Sequence, residues 1–184
     1  FLSVILSASI QDTVFFKSAN PFSFKDIIKN LEDQKEQEVY GILSLPSNIN
    51  KNDKIPLIIG VAGSKDWASH HREYMLMYQD LGFATFELHS FQSRNINSTV
   101  GTQIEVTTAT IVLDSYKAFE KLASHPNINK EKVAITGWSL GGGVALFSAW
   151  LPLKQAISKD LKFAAHLSYY PPCFVEPEVL DFSD

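Results

Sequence analysis

The residues whose types and spacing best fit a chemical role are Gly137-Trp138-Ser139-Leu140-Gly141. They form the pattern G-x-S-x-G, which follows a short apolar run and precedes a stretch of small residues. A serine at a strained strand-to-helix turn needs flanking residues without a Cβ atom, because side chains there prevent the turn from closing. The pattern therefore predicts Ser139 as a nucleophile. The alternative is a tight-turn serine in a fold without catalysis.

Two groups of backbone N–H donors are expected to surround this serine. The helix that begins after Ser139 directs its free N–H groups, the first of them on Leu140, toward negative charge that develops beside the hydroxyl. A second apolar strand ends in a loop that contains Gly63 and Ser64. We therefore expect an oxyanion hole made by the N–H of Leu140 and one N–H from Gly63 or Ser64. In the simpler alternative, Gly63 is only the turn glycine after a strand.

Apolar periodicity predicts the elements that position these groups. Alternating or continuous apolar runs predict strands, three- and four-residue spacing predicts helices, and the order alternates between the two. This order indicates an α/β fold with a doubly wound, mostly parallel sheet and helices on both faces, whose ligand site lies at the carboxyl ends of the strands. The predicted strands cover residues 36–45, 56–61, 83–88, 132–136 and 162–169, and the predicted helices cover 69–81, 102–124 and 141–157, with one short helix inside 11–37.

Composition narrows the class of protein. The chain has 184 residues, 45% of them hydrophobic, which suits one globular domain over 11–184. The net charge is −4 and no basic run is present, so nucleic acid is not an expected partner. We expect a small-molecule substrate and no cofactor. We also expect no metal, because no His, Cys or Asp cluster has metal-ligand spacing.

The first ten residues allow two interpretations. Residues 1–10 are apolar and include small residues at Ser7, Ala8 and Ser9, as in the back half of a secretory signal peptide. In that case the protein is secreted or periplasmic. Val4, Ile5 and Leu6 equally favour a first β-strand of a cytoplasmic protein. The run is too short to insert stably in a membrane.

Three segments carry a resemblance to a known family. The first segment, residues 127–142, leads up to Ser139 and includes it. The second, His89-Ser-Phe-Gln-Ser-Arg94, corresponds to a segment after the fourth strand of the family's fold, and the third, Tyr169-Tyr-Pro-Pro-Cys173, to one after the sixth strand. Over residues 38–175 the chain resembles the dienelactone hydrolase family of the α/β-hydrolase fold. Two positions depart from the family: Ala62 stands where many hydrolases of this fold have histidine, and His89 replaces the usual aspartate.

The resemblance implies a role for Arg94, whose planar guanidinium could bind a substrate carboxylate. A structural salt bridge that holds its loop is the alternative. His89 is a second substrate-binding candidate, against a role as a loop hydrogen-bonding group. Solvated positions are expected for His70 and His71, and a satisfied core position for His166.

A catalytic triad also needs an acid and a histidine, which follow the serine in this fold. The last histidine is His166, inside the strand predicted directly after the helix that follows Ser139. We therefore expect the triad acid and histidine, with the final strands, beyond Asp184. The expected function is a serine hydrolase that cleaves an ester, lactone or thioester through an acyl-enzyme. The alternatives are an acyltransferase or peptidase on the same fold, and a noncatalytic binding protein.

Overall fold

A computed structural model describes residues 10–47, 49–173, 177 and 180–183. Within these residues six strands form one sheet in the order β1-β2-β4-β3-β5-β6. The strands are β1 Ile10–Ala19, β2 Glu36–Leu45, β3 Ile55–Val61, β4 Ala84–Leu88, β5 Ile128–Trp138 and β6 Ala165–Tyr169. The helices are α1 Phe24–Asn30, α2 Ser69–Asp80, α3 Thr108–Leu122, α4 Leu140–Phe147 and α5 Leu151–Ile157, and short 3₁₀ turns cover Leu31–Asp33 and Gln92–Arg94.

The sheet is mixed, with a parallel part that bears the predicted nucleophile. Strands β4, β3, β5 and β6 run parallel, whereas β1 pairs antiparallel with β2 and β2 pairs antiparallel with β4. The prediction of a mostly parallel sheet is confirmed. The prediction lacks β1, which except for Ile10 lies in residues 11–37, where the sequence predicts one short helix. That short helix is α1.

Helices cover both faces of the parallel strands. On β3, Leu57, Ile59 and Val61 belong to the main core, which also contains residues of α3 and α4. Ile58 points to the opposite face, where it clusters with side chains of α2 and with Trp138. Side chains alternate across a strand, so the continuous apolar sequence of β3 serves two cores at once. No helix in the described ranges has the length and apolar character required to cross a bilayer.

The helix predicted over residues 102–124 begins six residues later than expected. Gly101 and Gln103 have positive φ angles of 88° and 49°, which a helix cannot contain. Thr107 then caps α3, because its hydroxyl accepts a hydrogen bond from the N–H of Thr110 at 3.2 Å.

The helix predicted over 141–157 is two helices, α4 and α5. The break precedes Pro152 in the first turn of α5. A proline inside a continuous helix lacks the N–H that would bond to the carbonyl of Ser148, and its ring would clash with that carbonyl. The Ser148 carbonyl instead accepts a hydrogen bond of 2.6 Å from the hydroxyl of Tyr116.

Candidate active site

Ser139 lies between the end of β5 and the start of α4, at the carboxyl end of the parallel strands. Its backbone has φ 54° and ψ −115°, a combination that non-glycine residues rarely adopt. Its N–H donates to the carbonyl of Tyr169 at 3.0 Å, which ties the turn to β6. Trp138 and Leu140 are buried, whereas Ser139 is exposed. The strained turn thus presents a single hydroxyl at the rim of the sheet.

The flanking glycines make this turn sterically feasible. A Cβ atom on Gly137 would overlap the backbone of Gly141. A Cβ atom on Gly141 would in turn overlap the carbonyl groups of Val61 and Ala62 at the end of β3. Both contacts are with backbone atoms, which cannot move aside as a flexible side chain can. The spacing of the two glycines therefore reflects a close packing of α4 against β5 and β3.

The predicted oxyanion-hole donors lie beside the serine. Leu140 is the first residue of α4, so its N–H has no acceptor within the helix. The loop after β3 approaches from the other side: the position that a Cβ atom of Gly63 would occupy is 3.6 Å from the Cβ of Ser139. The Ser64 carbonyl accepts hydrogen bonds from the Thr99 N–H at 2.9 Å and the Ser98 hydroxyl at 3.1 Å. These bonds hold the loop in place.

Arg94 is placed in an internal salt bridge rather than at an open surface. Its guanidinium binds both carboxylate oxygens of Asp114, at 2.8 and 3.0 Å, and both side chains are almost completely buried. The remaining guanidinium donors bind the side-chain oxygen of Asn20 and the carbonyls of Ala19 and Ser90. All of its N–H groups are thus engaged within the protein. The geometry favours the structural alternative over a substrate-binding role for Arg94.

His89 is also turned inward. Its ring stacks on Tyr40 with centroids 5.0 Å apart, and its Nδ1 lies 2.9 Å from the side-chain oxygen of Gln92. Only 6% of the residue is exposed. Its Nε2 lies 3.9 Å from a carboxylate oxygen of Glu87, beyond hydrogen-bond distance. This position suits a group that organises the loop after β4, not one that contacts a substrate beside Ser139.

The sequence-based expectation for His71 is wrong. His70 is exposed as expected, but His71 is 4% exposed and stacks on the indole of Trp138, with centroids 4.8 Å apart. It belongs to an aromatic cluster next to the Ser139 turn that also contains Trp67 and Tyr169. A histidine in the first turn of a helix gives no signal of burial, so this residue was not among the predicted site residues.

His166 has its ring nitrogen Nδ1 hydrogen-bonded within the protein, as predicted, although the residue is half-buried and not fully in the core. Its Nδ1 lies 3.1 Å from the Ala145 carbonyl and 3.0 Å from the Ser148 hydroxyl. Since a carbonyl only accepts, Nδ1 carries the proton. Burial lowers the pKa of His166 below its ordinary value. Its bonds are directed to α4, away from the hydroxyl of Ser139.

Two further observations concern the chemistry available at the site. The hydroxyl of Ser139 makes no hydrogen bond with any residue in the described ranges. Among the same residues, no group of three or more His, Cys, Asp or Glu side chains is arranged to hold a metal ion.

Known proteins match both the segment around Ser139 and the fold of the chain. The family model described as acetyl xylan esterase matches residues 105–174, less than half of the chain but including Ser139. A Klebsiella pneumoniae protein assigned as a dienelactone hydrolase superposes with a TM-score of 0.58 at 16% identity, over 94% of this chain and 65% of that one. The chain has the α/β-hydrolase fold. The acetyl xylan esterase from Paenibacillus sp. R4 also superposes on this chain, with a TM-score of 0.54 at 14% identity, over 81% of this chain and 47% of that one.

These comparisons support the resemblance to dienelactone hydrolases that the sequence motifs carry. A Bacteroides ovatus protein assigned as a dipeptidyl aminopeptidase IV shares the fold at 19% identity, with a TM-score of 0.58, over 80% of this chain and 20% of that one. The chain spans less than two thirds of the length of each of these solved proteins. No curated protein sequence matches it significantly. These solved proteins share the fold with this chain, and the family match covers the segment that contains Ser139.

Proposed function

We propose that the protein is a serine hydrolase of dienelactone hydrolase type, which cleaves an ester, lactone or thioester through an acyl-enzyme on Ser139. The observation that carries the proposal is the exposed serine at φ 54°, held between two glycines that cannot be replaced without overlap. A strained nucleophile persists only where the surrounding structure imposes it. Here the imposing contacts are the close packing of α4 on β3 and the bond from the Ser139 N–H to Tyr169.

In the first step, the oxygen of Ser139 attacks the substrate carbonyl and its proton passes to a general base. The carbonyl oxygen gains negative charge, which the N–H of Leu140 and an N–H of Gly63 or Ser64 would stabilise. The bond to the leaving group then breaks, the leaving group takes the proton, and the acyl group stays on Ser139. Water completes the hydrolysis by the reverse sequence.

The backbone donors contribute most of the electrostatic stabilisation in this scheme. Removal of one oxyanion donor typically costs roughly 10²–10³ in rate. Leu140 lies at the positive end of α4, so the helix adds to the stabilisation of negative charge there. We expect the base to be a histidine paired with an acid, both later in the full-length chain than Ser139, as in other proteins of this fold.

The substrate is not restricted to a carboxylate by Arg94. Since every N–H of Arg94 is engaged within the protein, Arg94 gives the site no preference for an anionic substrate over a neutral acyl compound.

A fluorophosphonate probe tests the proposal on the full-length protein. It should label the wild type, and the Ser139→Ala variant should not be labelled. Ser124→Ala is the matched control, because Ser124 is exposed just after α3 and its hydroxyl donates to the Lys121 carbonyl. Equal labelling of wild type and S139A, or no labelling of the folded wild type, would overturn the proposal. The turnover rates of p-nitrophenyl acetate and of a peptide anilide are then compared. An esterase prefers the first substrate and a peptidase prefers the second.

A further inference from the structure

His71 is a nearly buried histidine beside the nucleophile that the proposed mechanism does not use. It is the third residue of α2, and its ring packs between the β3 loop and the indole of Trp138. Its neighbour His70 is exposed. Stacking fixes the plane of the His71 ring, and its remaining freedom is set by what its two nitrogens bind.

The hydrogen bond at one nitrogen determines where the proton of this ring lies. The backbone N–H of Ala68 donates to Nδ1 of His71 at 3.1 Å. An N–H can donate only to an unprotonated ring nitrogen, so the neutral imidazole carries its proton on Nε2. Burial, together with the positive charges of His70 and Arg72, lowers the pKa of His71 to about 4. The ring is therefore neutral near pH 7, and its Nε2–H has no acceptor among the described residues.

The free edge of the ring borders the space in front of Ser139. The position that a Cβ of Gly63 would occupy is 3.9 Å from Cε1 of His71 and 3.6 Å from Cβ of Ser139. Cε1 is bonded to both ring nitrogens, and Nδ1 faces Ala68. Cε1 is therefore the ring atom recorded beside the gap left by the missing Gly63 side chain, and Nε2, bonded to Cε1, is the ring nitrogen that Ala68 does not hold. That gap adjoins the same loop whose N–H groups are proposed to bind the oxyanion.

We propose that His71 is a third oxyanion donor, whose Nε2–H binds the substrate carbonyl oxygen while the acyl group is attached to Ser139. This inference rests on the proposed function. The proton stays on Nε2 throughout, so His71 acts as a neutral electrophile and not as the base. A neutral imidazole of lowered pKa is suited to this task, because it polarises a carbonyl without a buried charge of its own.

A pair of substitutions separates the donor from the other roles of the ring. His71→Asn retains an acceptor within reach of the Ala68 N–H but is too short to place a donor at the Nε2 position. His71→Gln reaches that position with an amide N–H. His70→Asn is the control on the adjacent exposed residue. Each variant is made in the full-length protein, and circular dichroism and the urea midpoint establish that it folds.

The measured quantities are kcat and KM for p-nitrophenyl acetate and the rate constant of fluorophosphonate labelling. We expect H71N to lower kcat and the labelling rate by about 10²-fold with KM within a few-fold of wild type, since the donor acts on developing charge. We expect H71Q to stay within about tenfold of wild type, and H70N to match it. A kcat of H71N equal to wild type would refute the donor role, as would equal losses in H71N and H71Q.

The proposed function and this inference fail in different ways. If the wild type is not labelled at Ser139, the hydrolase mechanism itself fails. If Ser139 is labelled and every His71 variant retains the wild-type rate, only the role of His71 is wrong.

Discussion

The buried pair Arg94–Asp114 is the clearest point at which a structural role and a substrate-binding role predict different results. Arg94→Met removes the guanidinium but keeps an apolar side chain of similar reach. Among the described residues, the completely buried Asp114 carboxylate would then retain only the 2.5 Å hydrogen bond from the Ser18 hydroxyl. Loss of one partner of a buried ion pair costs about 3–5 kcal/mol, because the other charge is left without compensation.

Urea denaturation measures this loss as a free energy and thermal melting measures it as a temperature shift, both monitored by circular dichroism. For a domain of this size each kcal/mol lowers the melting temperature by about 2–4 °C, so we expect R94M to melt at least about 6 °C below the wild type. Arg72→Met is the matched control. Its partner Glu87 lies 3.2 Å away, but Arg72 is 47% exposed, and the expected cost is below about 1 kcal/mol.

A double variant and a kinetic measurement complete the test. Asp114→Leu in the R94M background removes the uncompensated charge and should restore much of the lost stability, since apolar replacement of a buried pair is often tolerated. The reasoning is refuted if R94M has the wild-type free energy of unfolding. A raised KM for a carboxylate substrate in that stable variant would instead assign Arg94 to substrate binding.

Three further outcomes are expected. Gly137→Ala should reduce the soluble folded fraction and abolish labelling of Ser139, because its Cβ overlaps the Gly141 backbone; a stable, reactive variant would contradict this packing. Gly63→Ala should fold, since its Cβ meets neighbours at 3.3–3.9 Å, but it should slow labelling by filling the gap beside Ser139; an unchanged rate would show that no substrate atom enters there. The free energy of unfolding should fall as the pH is lowered from 6.5 to 4, because His71 binds a proton more readily in the unfolded chain than in the folded chain, where burial lowers its pKa to about 4. H71Q should reduce this fall by on the order of 2–3 kcal/mol. An H71Q pH profile identical to that of the wild type would show that His71 is not buried.

The parallel half of the fold was predictable because its strands are buried on both faces. The apolar run at 56–61 corresponds to β3, Ile55–Val61, and the alternation at 36–45 corresponds to β2, Glu36–Leu45. The strand β1 was missed because it lies at the edge of the sheet and its first residues are exposed, so its apolar pattern is weak. Local sequence could not show that Gln103 adopts a positive φ and delays α3.

The site was predictable where chemistry and backbone geometry require particular residue types. The glycines around Ser139 have no sterically acceptable substitute, and they mark the turn in the sequence. For Arg94 the sequence leaves a substrate contact and a structural salt bridge both open, and for His71 it predicts a solvated position that the structure contradicts. Their actual environments depend on contacts distant in the sequence, with Asp114 on α3 and with Trp138 on β5. Such contacts emerge only when the chain is folded.

The most direct test of the central claim is to trap the acyl-enzyme. The full-length protein is mixed with p-nitrophenyl acetate, quenched in acid during the initial burst, digested and analysed by mass spectrometry. The proposed mechanism predicts a burst of about one equivalent of p-nitrophenol, as expected for covalent catalysis, and an acetyl group on Ser139. It also predicts that S139A shows neither. Turnover by the wild type with no acetylated serine, or turnover by S139A at the wild-type rate, would contradict it.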